Sequence, residues 1–336
     1  MSARFLTVVL ERAFNMRDGF GREIDYMRIS VIDSCNLNCY YCNPCDNNEH
    51  CHALNILSVK EVLCIVRAAT RLGITHFRLT GGEPLLHPQL DEMVLQIKKI
   101  PGVSSVSLTT NAVLLVQHAK WLKEAGIDSI NVSLDTIDAS EYERITKKPL
   151  LEEVKHGINA AIECGIRVKI NVVLTPQTDV VALTRYVAKK GTDIRFIEMM
   201  PVGEGHTNGV EPYKKVIGTL SKLYGEPCRI NTEKTKEINS GNDKRKIPDN
   251  GPAEYYIFPE LGIRVGLIQA IHGKFCDTCN RIRVTADGRL MPCLGSSVTM
   301  DLVPDSWDFA DDVEKDFAIV LSLIHISEPT RPLYIS

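Results

Sequence analysis

The chain has 336 residues, 44% hydrophobic and 24% charged, with 39 basic and 42 acidic side chains and a net charge of −3. That balance excludes a mainly disordered chain and gives no global surface for nucleic acid, though a local basic pocket is compatible with it. No apolar run reaches the roughly 18 residues a membrane span needs, and residues 1–20 read as a short N-terminal extension without the pattern of a secretion signal.

In chain order, residues 26–32 read as a strand. Residues 58–72 read as a helix opened by a Ser58/Glu61 capping box and stopped at Gly73. Strands at 76–80, 104–109, 129–134, 167–174 and 193–198 follow. Helical patterns separate them at 89–99, 116–125, two stretches ending near 163, and 180–189. Strand–helix alternation predicts right-handed crossovers and a parallel sheet. The pattern breaks after about Tyr224, so residues 21–225 fit a partial, six-unit (β/α) barrel of TIM type. Residues 231–251 are polar and turn-rich and read as a linker or long loop. Short strands at 255–258, 263–268 and 281–285 predict a small β-containing second domain over 226–310. In such barrels chemistry sits at the C-terminal ends of the strands, and the motifs are expected there.

Eleven cysteines, an odd number with no secretion signal, point to a reducing cytoplasm. Cys35, Cys39 and Cys42 follow the first strand with spacing C-x3-C-x2-C. Three thiolates at this spacing suit an iron–sulfur cubane with one open iron. A closed cluster using Cys45, or a zinc site completed by Cys45 or His52, are the alternatives. After the second strand, Thr80-Gly81-Gly82-Glu83-Pro84 offers glycines that let backbone approach a ligand and a carboxylate able to accept from an ammonium group. Cys276, Cys279 and Cys293 form a second trio, for a second open cubane or a zinc knuckle with His272. Arg281 and Arg283 share one face of an extended strand beside it, as phosphate recognition requires. Cys64 and Cys164 read as core residues. Cys51 and Cys228 read as loop thiols.

The cysteine loop, with an aromatic residue before its last cysteine, and the Gly-Gly-Glu motif together resemble the radical S-adenosylmethionine enzymes. Further motifs narrow the likeness: GFGREIDYMR ending at Arg28, RLTGGEP from Arg78, TTN from Thr109, NVSLD from Asn131, KINVV from Lys169, RFIEMM from Arg195, and CxxCNRxR from Cys276. Over about residues 18–302 the chain resembles the GTP 3′,8-cyclases of molybdenum cofactor biosynthesis.

That resemblance implies two [4Fe-4S] clusters, on Cys35, Cys39 and Cys42 and on Cys276, Cys279 and Cys293. It implies an S-adenosylmethionine site at Tyr41, Gly82, Glu83, Ser133 and Met200. It also implies GTP contacts from Arg28, Arg78, Thr109, Lys169, Arg281 and Arg283, drawn mostly from strand ends around one barrel mouth. In the family's reaction an adenosyl radical takes hydrogen from the ribose 3′ carbon, which then attacks carbon 8 of guanine to give 3′,8-cyclo-7,8-dihydro-GTP. A cyclic pyranopterin monophosphate synthase consumes that product. A separate electron donor and a homodimer are implied as well. A peptide-modifying radical enzyme and a closed-cluster or zinc-binding module are the readings to exclude. Two departures stand out. His76 occupies a position where the family often has lysine. Residues 321–336 lack the family's terminal Gly-Gly and resemble translated sequencing adapter, so a non-native tail with no place in the fold is expected.

Overall fold

The computed structural model describes residues 17–18, 21–42, 55–201, 210–230, 251–295 and 299–302. The tail at 321–336, Cys45, Cys51, His52 and all of the predicted linker at 231–251 except Gly251 lie outside the described residues. Repeating strand–helix units run from β1 (Tyr26–Ser30) and α1 (Val59–Arg71) through β2 (His76–Thr80), α2 (Leu90–Lys98), β3 (Ser105–Thr110), α3 (Leu115–Glu124) and β4 (Ser129–Ser133). They continue through α4 (Ala139–Thr146), α5 (Leu151–Glu163), β5 (Arg167–Val173), α6 (Val180–Lys189) and β6 (Asp193–Ile197) to α7 (Gly218–Tyr224). Then come β7 (Cys228–Ile230), β8 (Glu254–Ile257), β9 (Arg264–Ile268), β10 (Arg281–Val284), β11 (Arg289–Met291) and β12 (Met300–Asp301). The start of α1 carries the capping box: the Glu61 amide donates to Ser58 Oγ at 3.3 Å and the Ser58 amide to Glu61 Oε2 at 2.6 Å. No helix among these residues is long and apolar enough to cross a membrane.

All strands join one sheet, ordered β12-β11-β10-β1-β2-β3-β4-β5-β6-β9-β8-β7. Strands β1 to β6 lie side by side and parallel, as the alternation predicts. The C-terminal strands build no sheet of their own. β10 runs parallel to β1 at one edge of the six-stranded arc, and β9 runs parallel to β6 at the other. The physical reason is that a partial barrel ends in two strands with unpaired amides and carbonyls, and the C-terminal strands satisfy both edges.

The strands alternate sharply. Met27, Ile29, Phe77, Leu79, Val106, Leu108, Ile130, Val132, Val168, Ile170, Ile194 and Phe196 are buried and belong to the apolar core with the helices. The positions between them face the other way: Tyr26, Arg28, His76, Arg78, Ser105, Ser107, Thr109, Asn131, Lys169 and Arg195. Parallel strands covered on both faces read as continuous apolar runs, and TIM barrels fill their centres with branched apolar side chains. This inner face, the lumen side of the arc, is instead lined by polar and cationic side chains rather than by a packed apolar centre.

One inner-face ion pair ties β9 to β6. Asp193 accepts from Arg264 Nε at 3.1 Å, from Arg264 Nη2 and from the Arg264 amide at 3.3 Å, with Arg167 Nη2 at 3.6 Å. Burial pushes this carboxyl up, but the Arg264 hydrogen bonds and charge outweigh it and hold it below its ordinary value. Removing one partner of such a buried pair costs about 3–5 kcal/mol. Asp193→Ala is therefore expected to lose that much in urea unfolding at neutral pH. Because the folded carboxyl titrates below the unfolded one, the deficit relative to the parent should shrink as pH falls below about 4. An unfolding midpoint equal to the parent's at pH 7 would refute the assignment.

Candidate functional site

The first thiol trio sits where backbone pairing runs on past the strands. The Val31 amide donates to Thr80 O at 2.9 Å, Gly82 to Ile32 O at 2.7 Å, and Glu83 to Ser34 O at 2.8 Å. A Cβ on Gly81 would lie 2.2 Å from Ile32 O. One on Gly82 would lie 2.2 Å from Ser34 O and 2.4 Å from Asp33 O. Glycine is thus required at both positions by the approach of the segment entering Cys35, whatever else the motif contacts. Glu83 also has a role in the fold. It is 1% exposed, and its carboxylate accepts from the Leu85 amide (3.0 Å), Thr110 Oγ1 (2.7 Å) and the Asn111 amide (2.7 Å). These bonds hold the loops after β2 and β3 together, so Glu83 positions the rim.

The far side of the cysteine loop docks on the end of α4. Asn38 and Tyr40 amides donate to Thr146 O (3.0 Å) and Ile145 O (3.1 Å), and the Arg144 guanidinium lies 5.5 Å from the centre of the Tyr40 ring. The Tyr41 hydroxyl donates to Asp135, just beyond β4. Cys35 Sγ accepts from the Leu37 amide at 3.5 Å and from Asn111 Nδ2 at 3.9 Å. Cys35 and Cys42 are exposed and Cys39 is half-buried. The three thiols lie within electrostatic reach of one another. Burial, then Asp135 and the neighbouring thiols, push Cys39 up to about 12. Among the described residues no three thiol, imidazole or carboxylate groups converge closely enough for a single metal ion. Thiols around a multi-iron core stand further apart, and N–H donors to their sulfurs are typical of such sites. The residues fit an iron–sulfur cluster better than tetrahedral zinc. Gly82, Ser133 and Met200 follow or end β2, β4 and β6, on the same rim as Tyr41.

Below this rim lies a layer of arginines. The register sets Arg28 directly between Arg78 and Arg283, with Ser107 next to Arg78. Arg78 Nε donates to Ser107 Oγ at 3.0 Å. One step further down, Tyr26 stands between Arg281 and His76. The Arg78 and Arg281 guanidiniums lie 5.5 Å and 5.8 Å from its ring centre, and the His76 ring stacks on it at 6.4 Å. Burial pushes Arg28 well below its ordinary value, and Arg283, Arg78 and Arg281 push the same way. Burial and Arg281 bring Arg283 down to about 10. Arg28 Nε, Thr109 Oγ1 and Asn131 Nδ2 are buried without hydrogen-bond partners. Further round the arc, Thr109, Asn131 and Lys169 share one register level. Arg195, cited in the sequence only as part of a motif, is 3% exposed and donates to Asn171 Oδ1 (2.9 Å) and to Asn131 Oδ1. Its two-residue spacing from Asp193 is the available signal for an inward position. These cations stand at mid-strand inside the lumen, not around its mouth as expected, because inward positions recur at every second residue along a strand.

The second thiol trio closes the opposite end. Cys276 and Cys279 immediately precede β10. β10 is parallel to β1, so they lie at the N-terminal ends of the strands. Antiparallel β11 carries the chain back to Cys293 beside them. All three are half-buried, and both neighbours act electrostatically on Cys276. Arg22, held by Asp18, donates to Cys276 O at 2.7 Å. The expectation that every motif gathers at the C-terminal ends therefore fails for this trio, since a parallel strand must begin at the far end. His272 Nδ1 is engaged by Glu198, which also accepts from the Ile271 and His272 amides (2.8 and 3.1 Å). That pairing fixes the orientation of the ring through one of its two nitrogens. Asn111, Asp135 and Glu198 fall within the TTN, NVSLD and RFIEMM motifs, but what each does is set by a partner distant in the chain, which the motifs do not name.

Residues 29–182 match the model for the radical SAM superfamily, and residues 192–306 match that for Molybdenum Cofactor Synthesis C. A protein of Clostridium perfringens named GTP 3′,8-cyclase is 37% identical over 282 residues, covering 83% of each chain. Another of that name from Thermodesulfovibrio yellowstonii is 35% identical over 334 residues, covering 95% of this chain and 98% of its own. The chain belongs to the GTP 3′,8-cyclase family. The second matched region begins before β6, so in this family the C-terminal unit takes in the last of the six sequential parallel strands. At the level of fold, the chain is similar to Streptococcus suis SuiB bound to S-adenosylmethionine (TM-score 0.61, 14% identity, covering 89% of this chain and 67% of that one). It is also similar to anSMEcpe with bound AdoMet (TM-score 0.54, 17% identity, covering 91% and 84%).

Proposed function

We propose that the chain is a GTP 3′,8-cyclase that converts GTP to 3′,8-cyclo-7,8-dihydro-GTP. The observation that carries this reading is the half-buried arginine layer between two thiol trios, with a buried, partnerless Arg28 Nε at its centre. Four like charges gathered in a low-dielectric lumen are costly unless a polyanion joins them, and a triphosphate is such a ligand.

When bound, clusters on the two trios and S-adenosylmethionine on the upper rim supply the electron and the radical initiator. The protein's residues bind and orient. Arg28, Arg78, Arg281 and Arg283, with Lys169 and Thr109 from the facing wall, hold the nucleotide between the two ends. Tyr41, Gly82, Ser133 and Met200 line the cosubstrate site. The enclosed lumen excludes water from the reacting carbon, and fixing two reactants in one geometry lowers the entropic part of the barrier. Free thiols at all nine described cysteines suit a cytoplasmic setting. There an electron donor and a downstream cyclic pyranopterin monophosphate synthase complete the sequence.

The test is anaerobic reconstitution with iron and sulfide, then incubation with GTP, S-adenosylmethionine and reductant, with mass spectrometry of the products. A product isomeric with GTP, formed together with 5′-deoxyadenosine, is expected. Metal-loaded protein that cleaves the cosubstrate but binds peptide and not GTP would overturn the reading.

A further inference from the structure

We propose that Asp135 is a positioning residue that clamps the first thiol loop to the barrel rim. This rests on the function proposed above and assigns a role to a residue outside its binding list. Asp135 lies two residues beyond the last residue of β4 and is 9% exposed. Its two carboxylate oxygens do different work. Oδ2 accepts the hydroxyl of Tyr41, which stands between Cys39 and Cys42. Oδ1 accepts the Val173 amide at the end of β5, at 2.7 Å. The adjacent Leu134 amide donates to Asn171 O at 2.9 Å, so the residue is rooted in both strands. A carboxylate offers one acceptor oxygen to each of the two donors. The loop has other anchors, Gly82, Glu83 and the end of α4, but these hold its backbone at residues 32–40. The Tyr41–Asp135 bond is the described side-chain tie on the stretch leading to Cys42, and it lies beside Ser133 on the rim.

The clamp makes a prediction that a general structural role does not. Asp135→Ala removes both acceptors, and Tyr41→Phe removes one of the two donors. The two single variants break the same Tyr41–Asp135 bond, so their losses should not add. Asp135→Ala, which also strands the Val173 amide, should be the worse of the two, and the double variant should resemble Asp135→Ala alone.

The readout is the electron paramagnetic resonance spectrum of the reduced, fully loaded enzyme with and without S-adenosylmethionine, together with iron content and melting temperature. Asp135→Ala is expected to lose most of the cosubstrate-induced spectral change at close to the parent's iron content, Tyr41→Phe to lose part of it, and the double variant to lose no more than Asp135→Ala alone. A wild-type spectral change in Asp135→Ala, or additive losses in the double variant, would overturn the clamp while leaving the cyclase reading intact. A parent enzyme whose spectrum ignores the cosubstrate would overturn both.

Discussion

Replacing Arg28 with methionine should raise the melting temperature of the nucleotide-free chain while removing most of the stabilisation that GTP confers. The two halves share one cause. Arg28 is surrounded by Arg78, Arg281 and Arg283, and its Nε has no partner. In the free protein it contributes desolvation cost and like-charge repulsion, both of which an apolar side chain of similar length relieves. A gain of about 1 kcal/mol corresponds to roughly 2–4 °C in a chain of this size. With a triphosphate in the lumen the balance reverses. Losing one buried, hydrogen-bonded charge partner costs about 2–5 kcal/mol, roughly 30- to several-thousand-fold in Kd. Arg28→Lys keeps the charge without the planar fork and should fall between the two. Calorimetric titration with GTP and thermal melts with and without it are the measurements. If the methionine variant melted lower without nucleotide and bound GTP as the parent does, the layer would be a structural feature and not a phosphate site.

The second large effect is expected at Gly82. An added methyl group would stand 2.2 Å from Ser34 O and 2.4 Å from Asp33 O, both backbone atoms unable to rotate away. Gly82→Ala must push apart the two segments that hold Cys35, because the Glu83 amide pairs with Ser34 O at that point. The variant should reconstitute with about half the parent's iron and sulfide, and lose cosubstrate cleavage below detection. The second trio, at the other end of the lumen, should keep its cluster. Gly218→Ala is the control. It opens α7 with nothing within 4 Å of the added carbon, and alanine there should be neutral or stabilising by about 0.5–1 kcal/mol. Full iron content in Gly82→Ala would show that the approach of the two segments does not govern the first trio.

Much of this is legible locally. The six sequential parallel strands follow from the alternation of period-two and helical patterns. The start of α1 follows from Ser58 and Glu61, which bond to one another as a capping box predicts. The thiol trios are legible because a metal-binding loop must carry its ligands close together in sequence. What local pattern leaves out is the tertiary partner. Gly81, Gly82 and Glu83 also meet backbone and side chains at 32–34 and 110–111, which no local pattern names.

Sequence alone therefore determined the chemistry available to the chain: which sulfurs, which arginines, and which face of each strand is polar. It did so because ligand spacing and side-chain alternation are properties of a few consecutive residues. Tertiary structure alone decided where those groups meet. Arg283 stands beside Arg28 only because β10, near the end of the described chain, pairs with β1 in parallel register. The same pairing sends Cys276 and Cys279 to the far end of the lumen. Unpaired strand edges, and not any local signal, put the arginines in one layer between two sets of thiols.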